Sequence, residues 1–267
     1  MASSVISHPN ALLLNSGRNC LAYIVRASRP SRIYIPKYTC AAIRETVQRL
    51  GVDYQLYSIN DRLEIQDDLS PARGELLLYT NYFGLKDVYS QSLGRLYGER
   101  LILDCATAYF CQPLAEGHTF YSPRKFFKLT DGGILVTNLR LGDDRPMPQM
   151  SEQTRHLMAG IDYDAAQKRR HDNFAYLHAR LRDTNLLPID AGHVTAPMAY
   201  PYLIARSHRL RRRLLEHAVP ARRYWDSIFE RFGRSEFEYY LTDNTIYLPV
   251  NQALDESDMQ HIVGLIS

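Results

Sequence analysis

Along the first half of the chain, short apolar runs alternate with stretches whose apolar residues recur at helical spacing. Leu21, Ile24 and Val25 open a helical run behind the turn-like segment 15–20. The run Arg32, Ile33, Tyr34, Ile35, Pro36 reads as a buried strand. Ile43, Val47 and Leu50 then share one helical face over residues 39–50, and Gly51 follows where such a helix would end. Residues 53–57 and 75–80 read as two further strands, 88–97 as a short helix, and 100–104 and 133–137 as two more strands. Strands alternating with helices predict an α/β fold with a mixed, mainly parallel sheet covered on both faces. Ligands in such sheets bind at the carboxyl ends of the strands.

The pattern changes after residue 140. Residues 142–148 carry two prolines and no periodicity, as a loop does. Ser151 opens a long helical stretch that breaks near Gly160 and resumes from Asp162 to about Arg182, with Leu177 and Leu181 in its apolar stripe. The remainder reads as strand (198–204), helix (207–217), an aromatic segment, strand (245–248) and helix (256–266). The implied organisation is a large domain over 1–150, connecting helices over 151–183, and a small C-terminal α+β domain over 184–267.

At 267 residues, with 45% hydrophobic and 23% charged residues, the composition excludes a disordered chain, a collagen and a disulfide mini-protein. No apolar run reaches the ~18 residues a membrane span needs. The first nine residues lack the basic and apolar regions of a secretory signal. Cys20, Cys40, Cys105 and Cys111 form no CxxC pair, so a reduced, cytoplasmic protein is expected. A formal net charge of +3 favours neither nucleic acid nor membrane. The basic run 206–213 reads as a solvated helix face, with Leu210, Leu214 and Leu215 turned inward. Only 5 of the 32 basic residues are lysines, which narrows any chemistry that needs an amine.

The glycine-rich dinucleotide and P-loop motifs, GxSxG, HExxH and paired zinc spacings are all missing, and no metal site is expected. Four other features stand in order. Ser16-Gly17 precedes a helix, and free backbone N–H groups at a helix start suit a phosphate; taken alone, the pair is more simply read as an ordinary N-cap. Asp104 ends an apolar strand, where a carboxylate meets ligands or caps the next segment. Lys125, in Ser122-Pro123-Arg124-Lys125, is followed by two phenylalanines and a second cation at Lys128. A lysine desolvated by aromatics beside another cation is the kind that forms a Schiff base. Asp131-Gly132-Gly133 precedes a strand, and paired glycines permit close backbone approach.

In combination these elements resemble the DegT-like sugar aminotransferases, fold-type I enzymes that use pyridoxal 5′-phosphate. Ser16-Gly17 matches that family's phosphate turn. Asp104-Cys105-Ala106-Thr107 matches its strand-end element, and Lys125 with Asp131-Gly132-Gly133 keeps its lysine spacing. Residues 35–39, 81–84, 223–225 and 247–252 resemble further family loops, so the likeness runs in order over nearly the whole chain. The resemblance implies that Lys125 carries the cofactor and that Asp104 pairs with its ring nitrogen. It implies that Gly17 and Arg18 offer N–H groups to the phosphate and that Ser122 adds a hydroxyl. Thr107 would lie near the ring oxygen, and Tyr38, Cys40 or Asn81 would border the ring and substrate. It further implies an amino donor (glutamate or glutamine), a keto-sugar nucleotide as acceptor, a place in nucleotide-sugar biosynthesis, and a homodimer.

The chain departs from the family at three points. Cys40 stands where an aromatic residue usually stacks on the ring, the Asn-Tyr-Arg loop has no counterpart, and the chain is shorter before Leu13 and between Arg140 and Ser151. Two functional readings follow: an aminotransferase, or a catalytically impaired protein of this fold kept for binding or assembly.

Overall fold

The computed structural model describes residues 8–142 and 146–266. The start of the chain, read above as lacking a signal, and the centre of the 142–148 loop lie outside them. Seven strands, β1 (Ala11–Leu14), β2 (Arg32–Pro36), β3 (Asp53–Tyr57), β4 (Glu75–Thr80), β5 (Leu101–Cys105), β6 (His118–Tyr121) and β7 (Gly133–Val136), form one sheet in the order β1-β7-β6-β5-β4-β2-β3. The pairs β2–β3, β2–β4, β4–β5 and β5–β6 are parallel, while β6–β7 and β1–β7 are antiparallel. This is the mainly parallel mixed sheet that the alternation of runs predicts.

Alternation within each strand sorts residues into two cores. Ile33, Ile35, Leu76, Leu78, Ile102 and Phe120 pack beneath helices α1 (Gly17–Ser28) and α2 (Ala41–Arg49), whose Leu21, Ile24, Ile43 and Val47 are buried. Tyr34, Leu77, Tyr79, Leu103, Cys105 and Tyr121 face the opposite core, which includes Leu93 of α3 (Asp87–Tyr97). By the same alternation Asp104 shares the α1 side with Ile102 and Phe120. Gly51 ends α2 at φ +68°, the left-handed conformation that glycine adopts without strain.

A second, two-stranded antiparallel sheet pairs β8 (Ala199–Leu203) with β9 (Thr245–Pro249). It packs with α5 (Tyr163–Leu181), α6 (His208–Glu216) and α8 (Glu256–Ile266) around Phe174, Leu177, Tyr200, Leu214, Ile246 and Ile262. Helix α4 (Glu152–Ala159) precedes α5, and the two begin at side-chain caps supplied by Ser151 and Asp162, as expected for the break at Gly160.

Three readings need correction. β1 and β6, four residues each, gave no run long enough to be recognised. The aromatic segment contains helix α7 (Phe237–Asn244). On α6, Leu215 is exposed, and Arg211 is buried instead because its guanidinium donates to the carbonyls of Asp243 and Thr245. Among the described residues no helix is long and apolar enough to cross a membrane, and no three or more His, Cys, Asp or Glu side chains are grouped so as to hold a metal ion.

Candidate active site

The N-terminus of α1, the end of β5 and the turn after β6 converge at the carboxyl edge of the parallel strands. The Ser16 side chain accepts from Asn19 N and caps α1, while the N–H group of Arg18 has no hydrogen-bond partner among the described residues. It is an open donor of a helix start, with the positive end of the helix dipole behind it. The turn is held from the β7 side. Ser16 bridges Gly132, and Gly132 N donates to the Asn15 carbonyl at 2.7 Å. Gly132 stands at φ +123°. A Cβ on Gly133 would lie 2.4 Å from the Ser16 carbonyl carbon, so this close packing of β7 on the turn requires glycine.

Asp104 is buried at the end of β5. Its Oδ1 accepts from Ala106 N at 2.8 Å, and its second oxygen has no partner among the described residues. Burial pushes its carboxyl above the usual range, while the nearby Lys125 charge and the Ala106 N–H pull it back down. Cys20 on α1 feels Asp104 in turn, and burial drives its thiol well up, leaving it inert.

Lys125 closes a short 3₁₀ turn, Pro123–Lys125, that follows β6. The expectation that aromatics desolvate it does not hold. The turn sends Phe126 into the core and leaves Lys125 exposed. Its Nζ has no ion pair or hydrogen bond among the described residues, and the buried Ser122 hydroxyl is likewise uncommitted.

The remaining candidates are engaged within the protein. Asn81 donates to Asp87 and Cys111 and accepts from Lys86 N. Thr107 donates to the Asn81 carbonyl and accepts from Phe83 N. Phe83 stands at φ +59°, and Met198 N, donating to its carbonyl, helps hold this strained turn. The Tyr38 ring packs edge-on to Trp225 at 4.7 Å, and its hydroxyl meets that of Tyr247. Cys40 caps α2 through its backbone only and is half-buried. Thus Asp104, Lys125, Ser122 and the α1 turn keep free polar groups, while Asn81, Thr107 and Tyr38 spend theirs internally.

Sequence reasoning missed Arg170. It is buried on α5, stacks on Phe126 at 4.6 Å, and donates to Gln252, Pro197, Met198 and the Phe126 carbonyl. Gln252 also donates to the Phe126 carbonyl, so two long-range contacts fix the residue after Lys125. A signal existed: Arg170 falls in register with Ala166, Phe174, Leu177 and Leu181, on the apolar face of its helix.

No family model and no curated protein sequence matches this chain. Solved structures do. A DegT DnrJ EryC1 StrS aminotransferase from Brucella abortus is 15% identical and superposes with a TM-score of 0.73 over 96% of this chain and 84% of that one. Helicobacter pylori PseC, an aminotransferase involved in the biosynthesis of pseudoaminic acid, is 14% identical, with a TM-score of 0.74 over 96% and 85%. The E. coli GDP-4-keto-6-deoxy-D-mannose-3-dehydratase, solved with bound hydrated pyridoxal phosphate, is 12% identical, with a TM-score of 0.77 over 98% and 89%. At these identities the likeness is one of fold, and the chain has the architecture of the DegT-type sugar aminotransferases that its sequence resembles.

Proposed function

We propose that the protein is a pyridoxal 5′-phosphate-dependent enzyme that moves an amino group from glutamate or glutamine to a keto-sugar nucleotide. The observation that carries the reading is the convergence of two neighbouring strand ends: a buried carboxylate at the end of β5 with one oxygen open, and, in the turn after the adjacent parallel strand β6, a lysine with no ion pair or hydrogen bond among the described residues. The residues fit the cofactor. The N-terminus of α1 and the free Ser122 hydroxyl suit a phosphate, and Asp104 suits a protonated ring nitrogen. The division of the chain at 150 and 183 belongs to the same proposal, with the cofactor held by the first part.

When bound, pyridoxal phosphate supplies the electron sink for the carbanion that transamination requires. Asp104 would accept the ring N–H and keep its proton in place. Gly17 N, Arg18 N and Ser122 Oγ would hold the phosphate. Lys125 Nζ would anchor the group covalently. Once displaced by the amino donor, it would take the proton from the donor's Cα, and in the second half-reaction return one to the acceptor carbon. Two half-reactions sharing one site give ping-pong kinetics. Lys125 is exposed in the single chain, so a second copy across a two-fold interface would complete the enclosure. Light scattering at micromolar concentration should give twice the 30.8 kDa chain mass, and a single chain mass would remove this element.

The internal engagement of Asn81, Thr107 and Tyr38 favours a second reading, in which the cofactor binds but turnover is impaired. A single-turnover assay separates the two. Protein loaded with pyridoxal phosphate and mixed with glutamate should release close to one 2-oxoglutarate per chain, and then regain its original absorbance with a keto-sugar nucleotide. Cofactor binding without release supports the impaired protein.

A further inference from the structure

Outward of Lys125 lies a cavity of about 320 Å³. Its polar wall is Lys125, Lys128, Arg170, Arg222, Asn251 and Gln252, and no carboxylate lines it. The α1 phosphate turn, Ser122 and Asp104 are not part of the wall, so this is a different space from the candidate cofactor site, joined to it at Lys125. Tyr224 and Tyr247 supply an aromatic side.

The pairing of the lysines singles this cavity out. Three of the five lysines are neutralised at short range: Lys37 by Glu236 at 2.7 Å, Lys86 by Glu64 at 2.6 Å and Lys168 by Asp172 at 2.7 Å. The two that have no acid partner among the described residues, Lys125 and Lys128, both line the cavity. Arg223 reaches Asp243 and Asp226, whereas the adjacent Arg222, which lines the cavity, has no carboxylate partner among the described residues. Arg170 is buried with only carbonyl, amide and aromatic partners, and burial without a counter-charge pulls its guanidinium down to about 10. Like charges gathered around one space repel, and a buried cation lacking an acid is costly; a bound anion relieves both. The donors left over suit that role. Lys125 Nζ, Lys128 Nζ and Asn251 Nδ2 have no acceptor among the described residues, while Asn251 Oδ1 is already spent on Ala253 N.

We propose that this cavity is a binding site for an oxyanion, the carboxylate or phosphate group of a molecule that reacts at Lys125. Its position beside the two lysines without an acid partner among the described residues, rather than at the α1 turn, assigns it to a reactant. Four cations match a diphosphate better than a single carboxylate, so the phosphate source is expected to bind more tightly. That the anion belongs to a reactant rests on the function proposed above; the preference of the cavity for an oxyanion does not.

The test is calorimetric titration of the full chain with two probes, inorganic pyrophosphate and glutarate, against the wild type and Lys128→Gln/Arg222→Gln. Both substituted side chains are exposed and make no ion pair among the described residues, so the variant should fold, which circular dichroism checks. Pyrophosphate should bind the wild type, weaken with added salt, and lose about tenfold or more in affinity in the double variant. Tighter binding of glutarate, with the same loss, would also support the site and identify a carboxylate as its ligand. Binding of neither probe, or binding that the double variant retains, overturns the proposal. Absorbance of added pyridoxal phosphate, recorded on the same samples, separates the two ideas. Anion binding without a cofactor band removes the proposed function and leaves the site. A cofactor band without anion binding does the reverse.

Discussion

On the sheet side of Lys125 the polar groups are few and drawn from neighbouring strands and the first turn of α1, with Asp104 and Ser122 buried. On its outer side, cations from segments around residues 125, 170 and 222 ring an open cavity that lacks any acid. The first region is rigid because the sheet register fixes it: Asp104 pairs with Phe120 of β6 and Thr80 of β4. The second depends on α5 and β9 being held against the turn after β6, through the contacts of Arg170 and Gln252 to the Phe126 carbonyl. A site that positions a ring benefits from a stiff, buried frame. One that receives a charged reactant benefits from exposed, unpaired charge.

The sharpest way to break the sheet side is Asp104→Asn. The amide keeps the size and the bond from Ala106 N but cannot balance a protonated ring nitrogen. The rate of the glutamate half-reaction should fall about a hundredfold or more, as for loss of one preorganised electrostatic partner. Stopped-flow absorbance measures it, and an unchanged rate would remove Asp104 from the chemistry. Gly133→Ala tests the packing that sets the α1 turn. Its added Cβ meets the Ser16 backbone at 2.4 Å, so the turn must move. Chemical denaturation should show a loss of about 1–3 kcal/mol, with weaker capture of pyridoxal phosphate. Equal stability and affinity would mean that the turn tolerates displacement.

The smallest effect separates function from stability at Asp104. Burial raises its carboxyl, so the folded chain prefers it protonated. The folded state is therefore penalised once the pH rises above the unfolded carboxylate range near ~4, and the full penalty is present above the folded value. Without cofactor, Asp104→Asn should melt a few degrees above the wild type at pH 8, and this advantage should vanish towards pH 4. A pH-independent difference would mean that the charge is not the cause.

The two regions also differ in how far the sequence discloses them. Strands β2 to β5 were readable within about one residue, because their apolar runs are long and bounded by turns. β6 was not, since His118 and Thr119 interrupt its pattern; both are buried, His118 bonded to Thr137 and Thr119 accepting from Leu114 N. The polar groups of the sheet side were legible because each follows a strand or opens a helix within a short motif. The outer cavity was not. Lys128, Arg222 and Asn251 are separated by up to 123 positions and meet only through the tertiary fold. Local motifs also misled at Lys125, where adjacent phenylalanines implied burial but the turn points them and the lysine in different directions.

The most direct test of the central claim is where pyridoxal phosphate attaches. Purified protein incubated with the cofactor should develop a visible absorption band that changes on adding glutamate. Borohydride reduction followed by peptide mapping should place the fixed adduct on Lys125, and Lys125→Ala should abolish both band and adduct. No band at saturating cofactor, or an adduct on Lys128 that survives in Lys125→Ala, would contradict the account.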